Sequence, residues 1–249
     1  TGGVNSITTG TGADTITPGS GADTIAAGTG ADTFVYTASA TNSLNDEYTD
    51  FVSGTDKFHF QLDYSSSTIN PSGAAANVNA VRRSAGVAGK AAAEALLTGE
   101  RAEYVYDTTN STLYMNLTAD GSLTNADHNI KINAASTAAN TIADGDLRFT
   151  ITEPTGATVD SIITGGGDDV IYGGTDTSAD TLSAGGGNDT FYYYDSADLF
   201  VSGGTALVDN ITGAAGTADT LKLDPDAGSD ATFSITALDS FAARIATVE

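Results

Sequence analysis

Apolar side chains recur along this chain at a fixed distance behind an aspartate. Ile16 follows Asp14, Ile25 follows Asp23 and Phe34 follows Asp32, each two residues on. Paired glycines lead each unit: Gly10 and Gly12, Gly19 and Gly21, Gly28 and Gly30. A degenerate copy with Gly3, Asn5 and Ile7 precedes them in the same phase. One apolar position per nine-residue unit predicts very short strands joined by tight turns and stacked as a solenoid around a narrow core. The phase returns at Ile171, Leu182 and Phe191, behind Asp169, Asp180 and Asp189, with Gly165, Gly167, Gly185 and Gly187 in the turns. A flexible Gly/Asp-rich linker has no reason to hold that phase.

Between and after the repeats the pattern changes. Phe58 and Phe60 alternate with polar residues behind Gly54, which predicts a turn followed by a strand. Residues 90–97, alanine-rich and stopped by Gly99, predict the only helix. Residues 102–117 predict two strands around a turn at 108–111, and Ile130 with Ile132 continues them as a meander. Tyr192, Tyr193 and Tyr194 finish a strand with alternate rings buried and exposed. A looser closure follows the second block at Asp209, Ile211, Gly213, Gly216, Asp219 and Leu221. The expectation is an all-β chain of two serial solenoid modules, each followed by a β-rich closing segment. Residues 1–60 form the first module with its closure, 61–150 an intervening meander with a short helix near 90–98, and 151–249 the second module with its closure.

Composition adds a charge argument. The chain has 249 residues, 32 acidic and nine basic, for a formal net charge of −23. Nucleic acid and anionic membrane need clustered Lys and Arg, so neither is expected as a partner. Aspartates at period nine repel one another until a divalent cation neutralises them. Glycine turns bring backbone carbonyls beside those carboxylates, and a set of hard oxygen donors points to calcium.

Other chemistry finds little support. There is no cysteine, so disulfides, thiol catalysis and cysteine-bound zinc are excluded. The two histidines, His59 and His128, form no H-E-x-x-H motif, and no G-x-S-x-G elbow occurs. His59 reads as a solvent-facing strand residue. Arg82, Arg83, Lys90 and Arg101 read as a solvated face, and Asp120 and Asp127 as ordinary turn residues. No apolar run approaches the ~18 residues of a transmembrane helix, and no signal peptide is visible. Because Thr1 already stands in the repeat phase, the chain reads as a piece of something longer.

The units resemble the G-G-x-G-x-D-x-U-x nonapeptides of RTX (repeats-in-toxin) proteins, carried here by Gly10, Gly12, Asp14 and Ile16 and their copies. That resemblance implies a parallel β-roll with two strands per coil, so that units two apart stack. Calcium then lies between turns, held by carboxylates of stacked units and by turn carbonyls. The implied pairs are Asp14 with Asp32, Asn5 with Asp23, Asp32 with Asp50, Asp169 with Asp189, and Asp180 with Asp198. Neutral Asn5 makes its site the weaker one, and the eleven-residue step from Asp169 to Asp180 bulges one turn. The full implied ligand set is Asn5, Thr9, Gly10, Thr11, Gly12, Asp14, Gly19, Gly21, Asp23, Gly28, Gly30, Asp32, Asp50 and Asp56 in the first block. In the second block it is Asp160, Gly165, Gly167, Asp169, Asp180, Gly185, Gly187, Asp189 and Asp198. The segment from Asp50 through Gly54 to Phe58 resembles the RTX cap, and the strand pair after residue 102 resembles the hairpin that follows it.

Function is expected to follow from the ion rather than from catalysis. A coil buries too few apolar groups to offset the entropy of ordering its glycines, so calcium must supply the missing stability. Three classes of function fit. The first is a calcium-rigidified protein of the bacterial surface, an S-layer, sheath or adhesin-type subunit, self-assembling or contacting cell-surface glycan or lipopolysaccharide. The second is the type I secretion and folding region of an RTX enzyme or toxin. The third is a calcium-dependent binding module for ice or glycan, suggested by the equivalent positions of Thr11 and Thr29. All three place the protein outside the cell.

Overall fold

The structure, a computed structural model, describes residues 3–37, 44–64, 78–80, 82–85, 87–117, 121–123, 128–132, 142–152, 161–173, 178–194, 199, 208–213, 218–223 and 245–246. In chain order the strands are β1 (Ser6–Thr8), β2 (Thr15–Ile16), β3 (Thr24–Ala26), β4 (Thr33–Thr37), β5 (Leu44–Tyr48), β6 (Lys57–Asp63), β7 (Val78–Ala80) and β8 (Arg82–Ala85). Helix α1 (Lys90–Glu94) precedes β9 (Glu103–Asp107), β10 (Thr112–Asn116), β11 (His128–Ile132) and β12 (Leu147–Thr152). The last are β13 (Ser161–Thr164), β14 (Val170–Tyr172), β15 (Thr181–Ser183), β16 (Thr190–Tyr193), β17 (Asn210–Thr212), β18 (Thr220–Leu223) and β19 (Ile245–Ala246). The chain divides into two compact units, Thr1–Gln61 with Ala80–Arg148, and Leu62–Asn79 with Phe149–Glu249.

In the first unit, alternate strands stack in parallel on two sides of a roll. On one side β1 pairs with β3 and β3 with β5, placing Ile7, Ile25 and Tyr48 in one column. On the other, β2 pairs with β4 and β4 with β6, aligning Ile16, Phe34 and Phe58. Two strands per coil emerge because each nine-residue unit supplies one strand and one turn. The core is aromatic where the roll closes: Phe51 stacks on Phe58 with centroids 4.7 Å apart, and Tyr48 meets Phe58 edge-on at 5.0 Å.

Residues 103–132 extend one face of this roll. Strands β9, β10 and β11 form the expected antiparallel meander. β11 then pairs in parallel with β5, aligning Ile132 with Tyr48, so a seven-stranded sheet runs β1-β3-β5-β11-β10-β9-β8. Asp107 holds the hairpin turn by accepting the Thr109 and Asn110 amides at 2.9 and 3.0 Å. Helix α1 is shorter than its sequence pattern. Leu96 and Leu97 bond three residues back, to Ala93 and Glu94. The buried Glu103 carboxylate takes the Thr98 and Gly99 amides at 3.0 and 3.1 Å, which draws the chain out of the helix.

The second unit repeats the roll. Strands β12, β14, β16 and β18 stack with Ile151, Ile171, Phe191 and Leu221 in register. Strands β13, β15, β17 and β19 do the same with Ile162, Leu182, Ile211 and Ile245. Tyr193 is buried and Tyr194 is 46% exposed, as the alternation across three tyrosines predicts. Among the described residues, no helix is long and apolar enough to cross a membrane.

Candidate metal centre

The turns of successive coils lie directly on one another. Thr29 donates its amide to Gly10 O at 3.0 Å, and Gly12 donates to Thr29 O at 2.8 Å. The second unit repeats this, with Gly186 N to Gly165 O at 2.9 Å and Gly167 N to Gly186 O at 2.6 Å. Gly30 shows why the position is glycine. Its φ is +139°, and a Cβ there would lie 1.8 Å from Gly12 O. Gly187 stands in the same relation to Gly167 O, with a 2.1 Å approach at φ +134°. Carbonyl oxygens therefore crowd the gap between stacked turns.

Beside these turns the aspartates form columns. Asp14 donates its amide to Asp32 Oδ1 at 2.9 Å, and Asp32 donates to Asp56 Oδ1 at 3.0 Å. On the opposite side Asn5 donates to Asp23 Oδ1 at 2.7 Å, and Asp23 to Asp46 Oδ1 at 2.9 Å. In the second unit Phe149 donates to Asp169 at 2.7 Å, Asp169 to Asp189 at 2.9 Å and Asp189 to Asp219 at 3.0 Å. The companion column links Asp180 to Asp209 at 3.0 Å. Each accepting aspartate thus spends one carboxylate oxygen on the backbone one coil away.

The second oxygen tests whether a cation fits. Oδ2 of Asp14, Asp23 and Asp189 is buried and has no hydrogen-bond partner. Among the described residues, no lysine or arginine pairs with Asp14, Asp23, Asp32 or Asp189. A buried, unpartnered carboxylate oxygen is costly unless a cation or proton joins it. Asp189 records that cost. Burial pushes its carboxyl up to about 7, with Asp219 and Asp168 adding like-charge repulsion against the favourable Asp169 amide. Burial also raises Asp56, helped by Asp32 and Asp50. Among the described residues, no three acidic or histidine side chains converge as a metal cluster. A site here takes at most two carboxylates and completes its shell with carbonyl oxygens, a donor set suited to a hard divalent ion.

Several expected ligands fall elsewhere. Asp32 stacks on Asp56 rather than Asp50, because the third coil is longer: the Asp pairs are 18 residues apart, then 23 on one side and 24 on the other. Asp50 instead accepts the Ala27 and Gly28 amides at 3.0 and 2.7 Å. Asp180 reaches Asp209, 29 residues on, rather than Asp198. Asp160, Asp198 and the bulge expected before Asp180 lie outside the described residues, as do Asp120 and Asp127. Asn5 turns a side-chain N–H onto Asp23 Oδ1 at 2.9 Å, a donor where the repeat has a carboxylate. Thr9 spends its hydroxyl on Ala27 O at 2.6 Å, and Thr164 does the same to Ala184 O at 2.7 Å, which leaves their carbonyls as the oxygens a metal would use.

Sequence reasoning set Asp46, Asp209 and Asp219 outside the ligand columns. Each carries the signal that found the others, an apolar residue two places on: Tyr48, Ile211 and Leu221. Asp50 carries the same signal in Val52, but Val52 is 48% exposed in the structure and faces no core. His59 is half-buried rather than solvent-facing, and burial, then Arg148, lowers it to about 4. His128 is buried against the rings of Tyr36 and Phe60, with centroids 5.1 and 6.0 Å away.

Comparisons with known proteins bear on this arrangement. A family model described as peptidase M10 serralysin C terminal matches residues 1–144. A model described as RTX calcium-binding nonapeptide repeat (4 copies) matches residues 155–191 and 175–200. No curated protein and no solved structure matches. The resemblance to RTX proteins is borne out, and with it calcium as the ion these repeats bind. The matched regions are repeat and C-terminal regions, not a catalytic domain.

Proposed function

We propose, since this chain belongs to the peptidase M10 serralysin C-terminal family, that it is a calcium-set structural region of a type I secreted protein. The observation that carries this reading is the buried, unpartnered Oδ2 of Asp14, Asp23 and Asp189 beside stacked glycine carbonyls. In the first unit Asp14 with Asp32, and more weakly Asn5 with Asp23, would hold ions together with carbonyls of the turns containing Gly10, Gly12, Gly19, Gly21, Gly28 and Gly30. In the second, Asp169 with Asp189 would do so with the turns at Gly165, Gly167, Gly185 and Gly187. Calcium supplies positive charge to columns that otherwise repel themselves, which makes binding free energy part of folding free energy. Extracellular calcium modules work at ~10⁻⁴–10⁻³ M, so the chain stays loose at cytosolic calcium and sets after export.

Two finer roles follow. A bacterial surface scaffold, of S-layer, sheath or adhesin type, is favoured by two roll-bearing units in one chain, each with its own aspartate columns. The folding and secretion region of a larger enzyme or toxin is favoured by the family of residues 1–144. Circular dichroism with and without chelator tests the shared premise, and identical spectra refute it. Electron microscopy then separates the roles. A calcium-dependent lattice or filament supports the scaffold, and a permanently monomeric rod supports the folding region.

A further inference from the structure

One rung in each unit departs from the others. Asp46 and Asp209 accept the amides of Asp23 and Asp180 through Oδ1, as every rung does. Their second oxygens, however, face inward to a tyrosine. Tyr36 donates its hydroxyl to Asp46 Oδ2 at 2.9 Å, and Tyr193 donates to Asp209 Oδ2 at 2.6 Å. All four residues are buried. Each tyrosine stands two residues after a core phenylalanine, Phe34 or Phe191, on the strand facing the rung across the core. In the first unit the hydroxyl of Tyr48 joins that of Tyr36. The neighbouring column of that unit ends comparably, with Asp56 Oδ2 accepting the Val52 amide at 2.7 Å.

We propose that Asp46 and Asp209 are metal-free rungs, locked by Tyr36 and Tyr193, where a phenolic O–H takes the carboxylate oxygen that Asp23 and Asp189 leave open. The positive end of an O–H dipole then occupies the direction from which a cation would approach. The lock satisfies an acid that no ion serves, and it ties the two sides of the roll across the core. Its recurrence in both units, with loops of different length between tyrosine and aspartate, argues for a device rather than an accident of one loop. This inference rests on the reading that the open rungs hold calcium.

The test is the calcium dependence of the melting midpoint of the full chain, whose slope counts ions taken up on folding. Tyr36→Phe and Tyr193→Phe should lower the midpoint of their own unit by roughly 2–8 °C at every calcium concentration, leaving the slope unchanged. Asp46→Asn and Asp209→Asn should likewise keep the wild-type number of ions in equilibrium dialysis. Asp189→Asn, at an open rung, should reduce both slope and ion count. Loss of an ion in Asp46→Asn or Asp209→Asn overturns the inference, as does an unchanged midpoint in both tyrosine variants. A wild-type slope of zero would instead sink the calcium reading, and the tyrosine offsets would still decide whether the lock exists.

Discussion

Asp169 donates its backbone amide to Asp189 Oδ1 at 2.9 Å across 20 residues, and Asp14 does the same to Asp32 across 18. The two distances agree although the coils differ in length. The rung is set by the parallel strand register that follows the aspartate, so coils of different length give the same rung.

Removing a rung carboxylate should weaken calcium binding locally. Asp14→Ala or Asp169→Ala deletes one charged oxygen donor, worth about 1.5–3 kcal/mol, or roughly one to two decades in affinity. Isothermal titration checks this. Unchanged stoichiometry and affinity in both variants would mean that the ions lie elsewhere.

Adding a methyl group in the stacked turns should be severe. Gly30→Ala places Cβ 1.8 Å from Gly12 O in a backbone conformation that alanine resists, at a cost of about 1–3 kcal/mol before any displacement of the turn. Gly54→Ala is the control, since φ is +83° there but nothing lies within 4 Å of a Cβ. Calcium titrations followed by circular dichroism should show a larger shift for Gly30→Ala than for Gly54→Ala, and equal shifts would refute the close approach.

The aromatic closure should matter even when calcium saturates. Phe58 is buried and packs on Phe34, Tyr48 and Phe51, so Phe58→Ala should cost about 3–5 kcal/mol. Thermal melts in millimolar calcium measure it. Full recovery of the wild-type midpoint by added calcium would show that the core contributes little.

Acidity and calcium should act in the same pH window with opposite sense. Burial first of all pushes Asp46 up to about 6 and Asp189 up to about 7 from an ordinary 3.8. An acid raised on folding binds its proton more tightly in the folded chain. Its contribution is complete below 3.8 and is lost as pH rises through about 6 for Asp46 and about 7 for Asp189. In chelator the chain should therefore lose order as pH rises through that window, while calcium affinity climbs as the metal displaces the Asp189 proton. His59, lowered from 6.5 to about 4, opposes this, because its neutral form is favoured on folding and stability falls as pH drops through that interval. Circular dichroism in EGTA at mildly acidic and neutral pH decides the matter, and greater order at neutral pH would contradict it.

Much of the site was legible in sequence because it is periodic. The spacing of Asp14, Asp32, Asp169 and Asp189 carries both chemistry and geometry: a strand of fixed register follows each aspartate, so equal spacing means stacking. The rule failed at Asp50 and Asp198, where the coil lengthens and counting residues no longer counts turns. The apolar residue two places on was the better guide, since it picks out Asp46, Asp56, Asp209 and Asp219; Asp50 shares it through Val52, and only the 48% exposure of Val52 in the structure sets Asp50 apart. Nothing local marks Tyr36 or Tyr193 as partners of an aspartate, because those bonds cross the core between strands 10 and 16 residues apart in different phases.

By itself the sequence determined the all-β roll, its two-sided coil and the calcium chemistry, since glycine, aspartate and apolar side chain each act through local backbone geometry and burial. Tertiary structure alone decided which aspartates share a rung, which carboxylates stay open and which are closed by tyrosine. Those outcomes depend on how insertions are absorbed when coils stack, and on distances across the core that no local periodicity encodes.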